Sequence, residues 1–286
     1  MATNIRDIKD RITSVEKTNK ITLAMKMVSA AKFKRNLKAL DHVKEYGTGL
    51  DSILASLSKR LFDDNLSPLL GTNDSPQVAI VVISSDRGLC GGFNTNLFKT
   101  VKAVLERHSQ VDLYTLGNKA LQFYKSKNVN IVDSRPSFNT GNDDIEMSTF
   151  VDSLIDGFLN GVYSKVVVVY NEFVSALASN QQVKQLLPIS LPDWNPSVVT
   201  TSDFIYEPSK TSTLNVFFKQ LIRYQFSLAV HESLASEEGF RMAAMDSASS
   251  NAKEMIDELT LYYNRSRQAA ITTELTEIVA GAASIS

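Results

Sequence analysis

The residues with the most obvious chemical potential lie in one short run, Ser84-Ser85-Asp86-Arg87-Gly88-Leu89-Cys90-Gly91-Gly92-Phe93-Asn94. It follows an apolar stretch of strand character and precedes a helical one, and a glycine-rich turn between strand and helix is where α/β folds hold phosphate. The spacing fits neither G-x-x-x-x-G-K-[ST] nor G-x-G-x-x-G. Gly88, Gly91 and Gly92 therefore read better as a tight, closely packed structural turn than as a nucleotide cradle. Cys90 is the only cysteine, and a nucleophile needs a base beside it. His42, His108 and His231 are the only histidines, and they fall on predicted helices remote from it in sequence. A packed thiol is the expectation. No HxxxH pair or clustered ligand set marks a metal site. The acid pairs Asp63/Asp64, Asp143/Asp144 and Glu237/Glu238 fall in loops or on helix faces, and solvated side chains are the expectation for them. No catalytic residue, cofactor or metal is expected.

The other candidate chemistry is electrostatic. Residues 1–60 carry a net charge of +7, residues 61–208 of −6 and residues 209–286 of −2, giving −1 overall. The densest basic cluster is Lys26, Lys32, Lys34, Arg35 and Lys38. A basic helix can meet nucleic acid, anionic lipid or an acidic protein. Few aromatics interleave here, so stacking on single-stranded nucleic acid is unsupported; an acidic protein surface and plain solvation both stay open. The last eighteen residues hold only two charges, Glu274 and Glu277. A helix end so weakly charged frays in water unless something encloses it.

The elements that must position these groups are legible in the prolines. All seven lie between Pro68 and Pro208, so residues 1–67 and 209–286 are free of the strongest helix breaker. In the first segment Ile5, Ile8, Ile12 and Val15 keep helical spacing, Ile21, Met25 and Val28 resume it slightly rotated, and Phe33, Leu37, Leu40, Val43, Gly47, Leu50, Leu54, Leu57 and Leu61 continue it. At ~1.5 Å per residue this predicts a helix roughly 80–90 Å long. In the last segment Leu214, Leu221, Leu228, Ala235, Met242, Ser249, Ile256, Tyr263 and Ala270 repeat every seven residues, with Phe217, Tyr224, Met245, Ala252 and Leu259 on the companion position. Such heptads predict a coiled coil, and two such helices joined through a folded middle pack most simply antiparallel. The middle, residues 68–208, alternates apolar runs (Val78–Ile83, Val111–Leu116, Lys165–Tyr170) with helical stretches (Leu97–Arg107, Asn118–Tyr124, Ser148–Leu159). This predicts an α/β layer with a parallel sheet. Gln185–Pro208, with four prolines and the only tryptophan, Trp194, reads as a loop-rich return.

A composition of 43% apolar and 21% charged residues rules out wholesale disorder. One cysteine excludes an internal disulfide framework. No run approaches 18 apolar residues, and MATNIRDIKDR lacks the apolar region of a secretory signal. A cytoplasmic protein of bacterial type is the expectation.

Three motifs carry a family resemblance: Ile21-Thr22-Leu23-Ala24-Met25-Lys26-Met27-Val28-Ser29-Ala30-Ala31-Lys32, the Ser85–Asn94 run, and Tyr263-Asn264-Arg265-Ser266-Arg267-Gln268-Ala269-Ala270-Ile271-Thr272 continuing through Glu277-Ile278-Val279-Ala280-Gly281-Ala282-Ala283. In order and length the chain resembles the gamma subunit of the F-type ATP synthase. The resemblance implies a non-catalytic subunit, present once per complex, that forms a central rotor shaft. Its antiparallel coiled coil would lie inside the alpha–beta hexamer, with a Rossmann-like middle domain that binds no nucleotide. Torque from a proton-driven c-ring would turn the shaft and push the beta subunits through their catalytic conformations, at the cytoplasmic face of a bacterial inner membrane. By motif match, Arg267, Gln268 and Thr272 would face the catch loop of beta, with Met25 and Arg241 near further coupling contacts, and Lys26, Lys32 and the rest of the basic cluster would meet beta's acidic lever. Tyr206-Glu207-Pro208 resembles a YEP motif and places Tyr206 and Glu207 toward the c-ring loops, on the side where epsilon also joins. The chain departs from the family at Leu23, where Lys is common, and at Gly239, where Ala is usual and where glycine should soften the helix by about 1 kcal/mol. The redox insert of the chloroplast version is absent.

Overall fold

The computed structural model describes residues 5–61, 67–127, 129–136, 144–190, 206–207 and 209–285. Trp194, Pro208, Asp63, Asp64 and Asp143 lie outside them. The elements run α1 (Ile5–Leu61), β1 (Gln77–Ile83), α2 (Phe93–Leu105), β2 (Gln110–Leu116), α3 (Asn118–Tyr124), β3 (Asn130–Arg135), α4 (Asp144–Leu159), β4 (Lys165–Ser175), β5 (Ala178–Leu187) and α5 (Lys210–Ile285). Two compact units result. One combines Met1–Ser29 with Arg241–Ser286, the other spans Ala30–Phe240.

The larger unit is a five-stranded sheet of order β3-β2-β1-β4-β5. β1 pairs in parallel with β2 and β4, β2 with β3, and β5 closes the far edge antiparallel to β4. Because side chains alternate across a strand, β1 feeds two cores. Ala79, Val81 and Ile83 pack with Leu50, Leu54 and Leu57 of α1, Phe150 and Leu154 of α4, and Leu214, Phe218 and Leu221 of α5. Val78, Ile80 and Val82 pack with Leu97 and Val101 of α2 and Ala120 and Tyr124 of α3. Burial on both faces is why the β1 and β4 runs are continuously apolar.

Two strands escaped the sequence reading. β3 is short and carries Asp133 and Arg135, and β5 was expected as part of a loop from Gln185 onward although it runs back to Ala178. β5 is rich in amides and forms a hairpin with β4, so the sheet is mixed rather than wholly parallel.

The seam of α1 also differs from the expected stripe. Ile8, Val15, Thr22, Ser29, Asn36, Val43, Leu50 and Leu57, with Ile12, Asn19, Lys26, Phe33, Leu40, Gly47 and Leu54, are all buried or half-buried, and they form one unbroken seven-residue repeat. Ile21 and Val28, placed in the stripe on hydrophobicity, are instead exposed. The pattern does not rotate after Val15. It continues through polar side chains that an apolar count passes over.

Candidate functional site

The glycine-rich turn leaves β1 and enters α2 at the point where β2 and β4 diverge on either side of β1. This is the crevice in which doubly wound sheets bind ligands. Here the turn is closed on itself. Ser85 Oγ donates to the Arg87 carbonyl at 2.7 Å, Asn94 Nδ2 donates to Ser85 Oγ at 2.7 Å, and Ser85 N donates to Asn94 Oδ1 at 3.2 Å. Asn94 Nδ2 also reaches Cys90 Sγ at 3.3 Å, and the thiol is buried. Gly91 takes the left-handed conformation (φ 55°), which glycine adopts without strain. Its α-carbon faces Phe240 of α5, whose ring also lies 6.3 Å from that of Phe93.

Asn171 of β4, wholly buried, secures α5 over the same end of the sheet. Its N–H donates to Ser233 Oγ, its carbonyl accepts from Ser236 Oγ, its side-chain amide donates to the Phe93 carbonyl, and its Oδ1 accepts from Gln181. Of the three glycines, Gly91 is required by its positive φ, a Cβ at Gly92 would crowd the Asn96 side chain at 3.3 Å, and one at Gly88 would meet only Lys119 Cε, at 3.8 Å. Gly239, one turn from Ser236, allows the approach. A Cβ there would meet the Ala176 carbonyl oxygen at 2.9 Å and Ala176 Cα at 3.1 Å. The expected softening of the helix misses its role, which is contact with the β4–β5 turn.

The larger unit also buries charge where α1, α5 and the sheet meet. Glu232 of α5 is almost fully enclosed, and Lys44 Nζ of α1 lies 3.1 Å from its carboxylate. Burial pushes its carboxyl up, Lys44 pulls it down, Glu172 raises it and the Tyr170 hydroxyl lowers it by hydrogen bonding. Desolvation pulls the Lys184 ammonium down, opposed by Glu232, Asp51 and Glu172. For an acid held above its ordinary value, the unfolded chain releases its proton first as pH rises. Stability therefore falls from about pH 4.5 upward, through the raised folded value. Glu232→Gln is expected to flatten that fall, read as the urea midpoint across a pH series.

The smaller unit holds Met25, Lys26, Arg241, Arg267, Gln268 and Thr272, six of the seven residues that the resemblance sets against beta. Here α1 and α5 pair antiparallel: Lys26 makes an ion pair with Asp246, and Ser249 Oγ donates to Asn19 Oδ1 at 2.6 Å. Thr22 and Ser29 of α1 and Met245 and Ala252 of α5 are buried, and Met25 is half-buried. On the outside of α1, Ile21, Met27 and Val28 are each more than half exposed and Leu23 nearly so. Between Ile21 and Ser29 the ordinary amphipathic arrangement is inverted, with Thr22 and Ser29 in the seam and apolar side chains outside, whereas Ile8, Ile12 and Val15 keep the seam apolar nearer the start of α1. The end of α5 continues the theme, with Leu261, Leu275, Ile278 and Val279 exposed.

The site residues are thus dispersed. Lys26 is engaged by Asp246 and Arg241 is buried, while Lys32, in the other unit, lies 3.8 Å from Glu238. Arg267, Gln268 and Thr272 are exposed on the last turns of α5, where Thr272 Oγ1 donates to the Gln268 carbonyl at 2.9 Å and the Arg267 guanidinium lies 6.0 Å from the Tyr263 ring centroid. Tyr206 packs against the larger unit's core, and the Glu207 carbonyl accepts from Thr213 Oγ1 at 3.0 Å. Sequence reasoning missed the Asn171 hub and the Glu232 cluster. A lone Asn at a strand end and a Glu at a seam-adjacent position carry no pattern that would expose them. No helix among the described residues is long and apolar enough to cross a membrane.

Known proteins share both the sequence and this architecture. The profile of a family described as ATP synthase matches residues 4–285. The ATP synthase gamma chain of Trichlorobacter lovleyi is 40% identical over 291 residues, covering 99% of each chain. That of Prosthecochloris aestuarii is 42% identical over 290 residues, covering 99% of this chain and 98% of its own. Among solved structures, a chain of the Tetrahymena thermophila mitochondrial ATP synthase central stalk and c-ring is similar with a TM-score of 0.63 at 25% identity, over 80% of this chain and 99% of that one. A chain of the Euglena gracilis mitochondrial ATP synthase shares the fold with a TM-score of 0.69 at 19% identity, over 98% and 94%. With two long proline-free helices, a mixed five-stranded sheet, and matches along nearly its whole length, this chain belongs to the ATP synthase gamma chain family.

Proposed function

We propose that the chain acts as the central rotor shaft of a proton-translocating ATP synthase, one copy per complex, with no cofactor and no nucleic acid partner. The observation that carries this is the exposed apolar surface of the smaller unit. An apolar exterior on Ile21, Leu23, Met27 and Val28, continued by Leu275, Ile278 and Val279, suits a helix pair enclosed by other protein rather than by water. An alpha–beta hexamer supplies such an enclosure. The nearly uncharged end of α5 then turns against it without fixed ion pairs, and Arg267, Gln268 and Thr272 are the polar groups placed to meet beta. Met25, Lys26, Lys32 and Arg241 complete the coupling contacts in this reading. Lys26 and Lys32 each already hold an acidic partner within the chain, so they would meet beta's acidic segment as part of a paired charge network.

In the same reading the working division is a helix over 1–67, an α/β body over 68–208 and a helix over 209–286. Tyr206 and Glu207 face the c-ring and epsilon, and the complex sits at the cytoplasmic face of a bacterial inner membrane with this chain peripheral to it. The test is direct observation of rotation. The purified complex is fixed to glass through its beta subunits, with a bead attached at a cysteine introduced at exposed Lys125. ATP is expected to drive stepwise rotation in one sense. A complex that hydrolyses ATP at full rate with the bead stationary overturns the proposal.

A further inference from the structure

The two edges of the sheet are protected very differently. β3 is six residues long, carries Asp133 and Arg135, and has a register shift against β2 between Leu113 and Tyr114. Shortness, charge and irregularity are the devices that keep an edge strand from recruiting another strand. β5 lacks the shortness and the irregularity along its middle, and carries one charge there, on a half-buried side chain. It is ten residues long, and from Ser179 to Gln185 it pairs with β4 without interruption, the register shifts falling only beyond each end of that stretch. Seven residues at ~3.3 Å each make a straight edge roughly 23 Å long. From Ala178 to Val183 the side chains are all uncharged. The single cation, Lys184, is half-buried beneath the strand's own face, near Glu232, Asp51 and Glu172.

In an antiparallel pair every second residue of an edge strand turns its N–H and C=O away from its neighbour. Among the described residues, no hydrogen bond from another element reaches the backbone of β5 on that outer side. The one side-chain bond to a β5 carbonyl, from Gln181 Nε2 to Ser179 O at 3.4 Å, arises within the strand. Val183 is also exposed, as are Val174 and Leu177 at the hairpin end.

We propose that the outer edge of β5 is a strand-addition site, taken in the assembled complex by an extended segment of a neighbouring subunit. The complement such an edge demands is another strand's backbone. Its amide-rich, uncharged side chains suit neutral polar or β-branched neighbours and place no charge opposite them. This rests on the reading of the chain as a subunit of a larger complex. It assigns one of that complex's contacts to the sheet edge, away from the helices.

Hydrogen–deuterium exchange on the purified ATP synthase and on the isolated full chain tests it. Amides within Ser179–Gln185 should exchange at least tenfold more slowly in the complex, while those of Asn130–Arg135 exchange alike in both. Val183→Lys, at an exposed position, should return the β5 amides to the isolated-chain rate, whereas Val132→Lys on β3 should leave their protection intact. Equal rates in complex and isolated chain overturn the inference, and so does protection that survives Val183→Lys. Protection that appears in the isolated chain only as its concentration rises, together with a dimer in ultracentrifugation, overturns it in favour of pairing between copies. Equal exchange in a complex that rotates on ATP defeats the edge assignment alone; a complex that fails to rotate defeats the shaft reading.

Discussion

Gly47→Ala is expected to destabilise the larger unit at or above the upper end of the ~1–3 kcal/mol typical of overpacking. A Cβ at this position would stand 1.8 Å from the Tyr224 hydroxyl, 2.1 Å from its Cζ and 2.5 Å from Cε2. The ring cannot swing aside freely: it is buried on α5 and makes an edge contact with Tyr46, centroids 6.1 Å apart. The alanine gains about 1 kcal/mol of helix propensity over glycine, too little to offset a displaced aromatic. Urea denaturation measures the loss, and a double-mutant cycle identifies its cause. In a Tyr224→Ala background the glycine substitution should become nearly neutral or stabilising, because the clash is gone and the propensity gain remains. An equal cost in both backgrounds would mean that the ring is not the obstacle.

The second large effect is Gly239→Ala, expected to cost ~1–3 kcal/mol. The obstacle here is backbone, the carbonyl oxygen and α-carbon of Ala176, with Phe33 Cε2 at 3.3 Å behind them. Backbone in a hairpin turn yields less readily than the end of a side chain. Glycine at this position gives up helix propensity and permits the close approach of α5 to the β4–β5 turn. Loosening should appear locally as faster hydrogen exchange at Ala176–Ser179, with α2 and α3 unaffected. An unchanged denaturation midpoint together with unchanged exchange would show that the turn can retreat without cost.

How far the sequence discloses all this depends on what each element packs against. Strands buried on both faces, such as Val78–Ile83 and Lys165–Tyr170, are written in apolar residues and could be read directly. The edge strands could not. β3 and β5 each have one neighbour, so their residues answer to solvent and pairing more than to the core, and Asn180, Gln181 and Gln182 look like loop. The α1 seam was hidden for a related reason. Thr22 and Ser29 are buried and Asn19 half-buried against a partner helix with small and polar residues of its own, Ala252 and Ser249 among them, so burial and hydrophobicity part company there. The glycine-rich turn is visible in the sequence, but the contacts that Asn94, Asn171 and Phe240 make there depend on residues distant in sequence. The resemblance of three motifs named the family; the inverted polarity that gives those motifs a physical reason became visible only with the burial of each side chain.

The unbroken repeat of α1 has a mechanical consequence. Seven residues cover slightly less than two full turns of an undistorted α-helix, so a seam that returns every seventh residue, as Ile8, Val15, Thr22 and Ser29 do in the smaller unit, favours a helix that coils left-handedly about its partner. A strand pair wound in one hand is not an indifferent rod. Twisted one way it winds tighter and its seam compresses; twisted the other way it slackens and its side chains separate. A helix pair of this kind is therefore a stiffer spring in one sense of twist than in the other, and in the smaller unit the bond from Ser249 to Asn19 is among those that the softer sense would stretch.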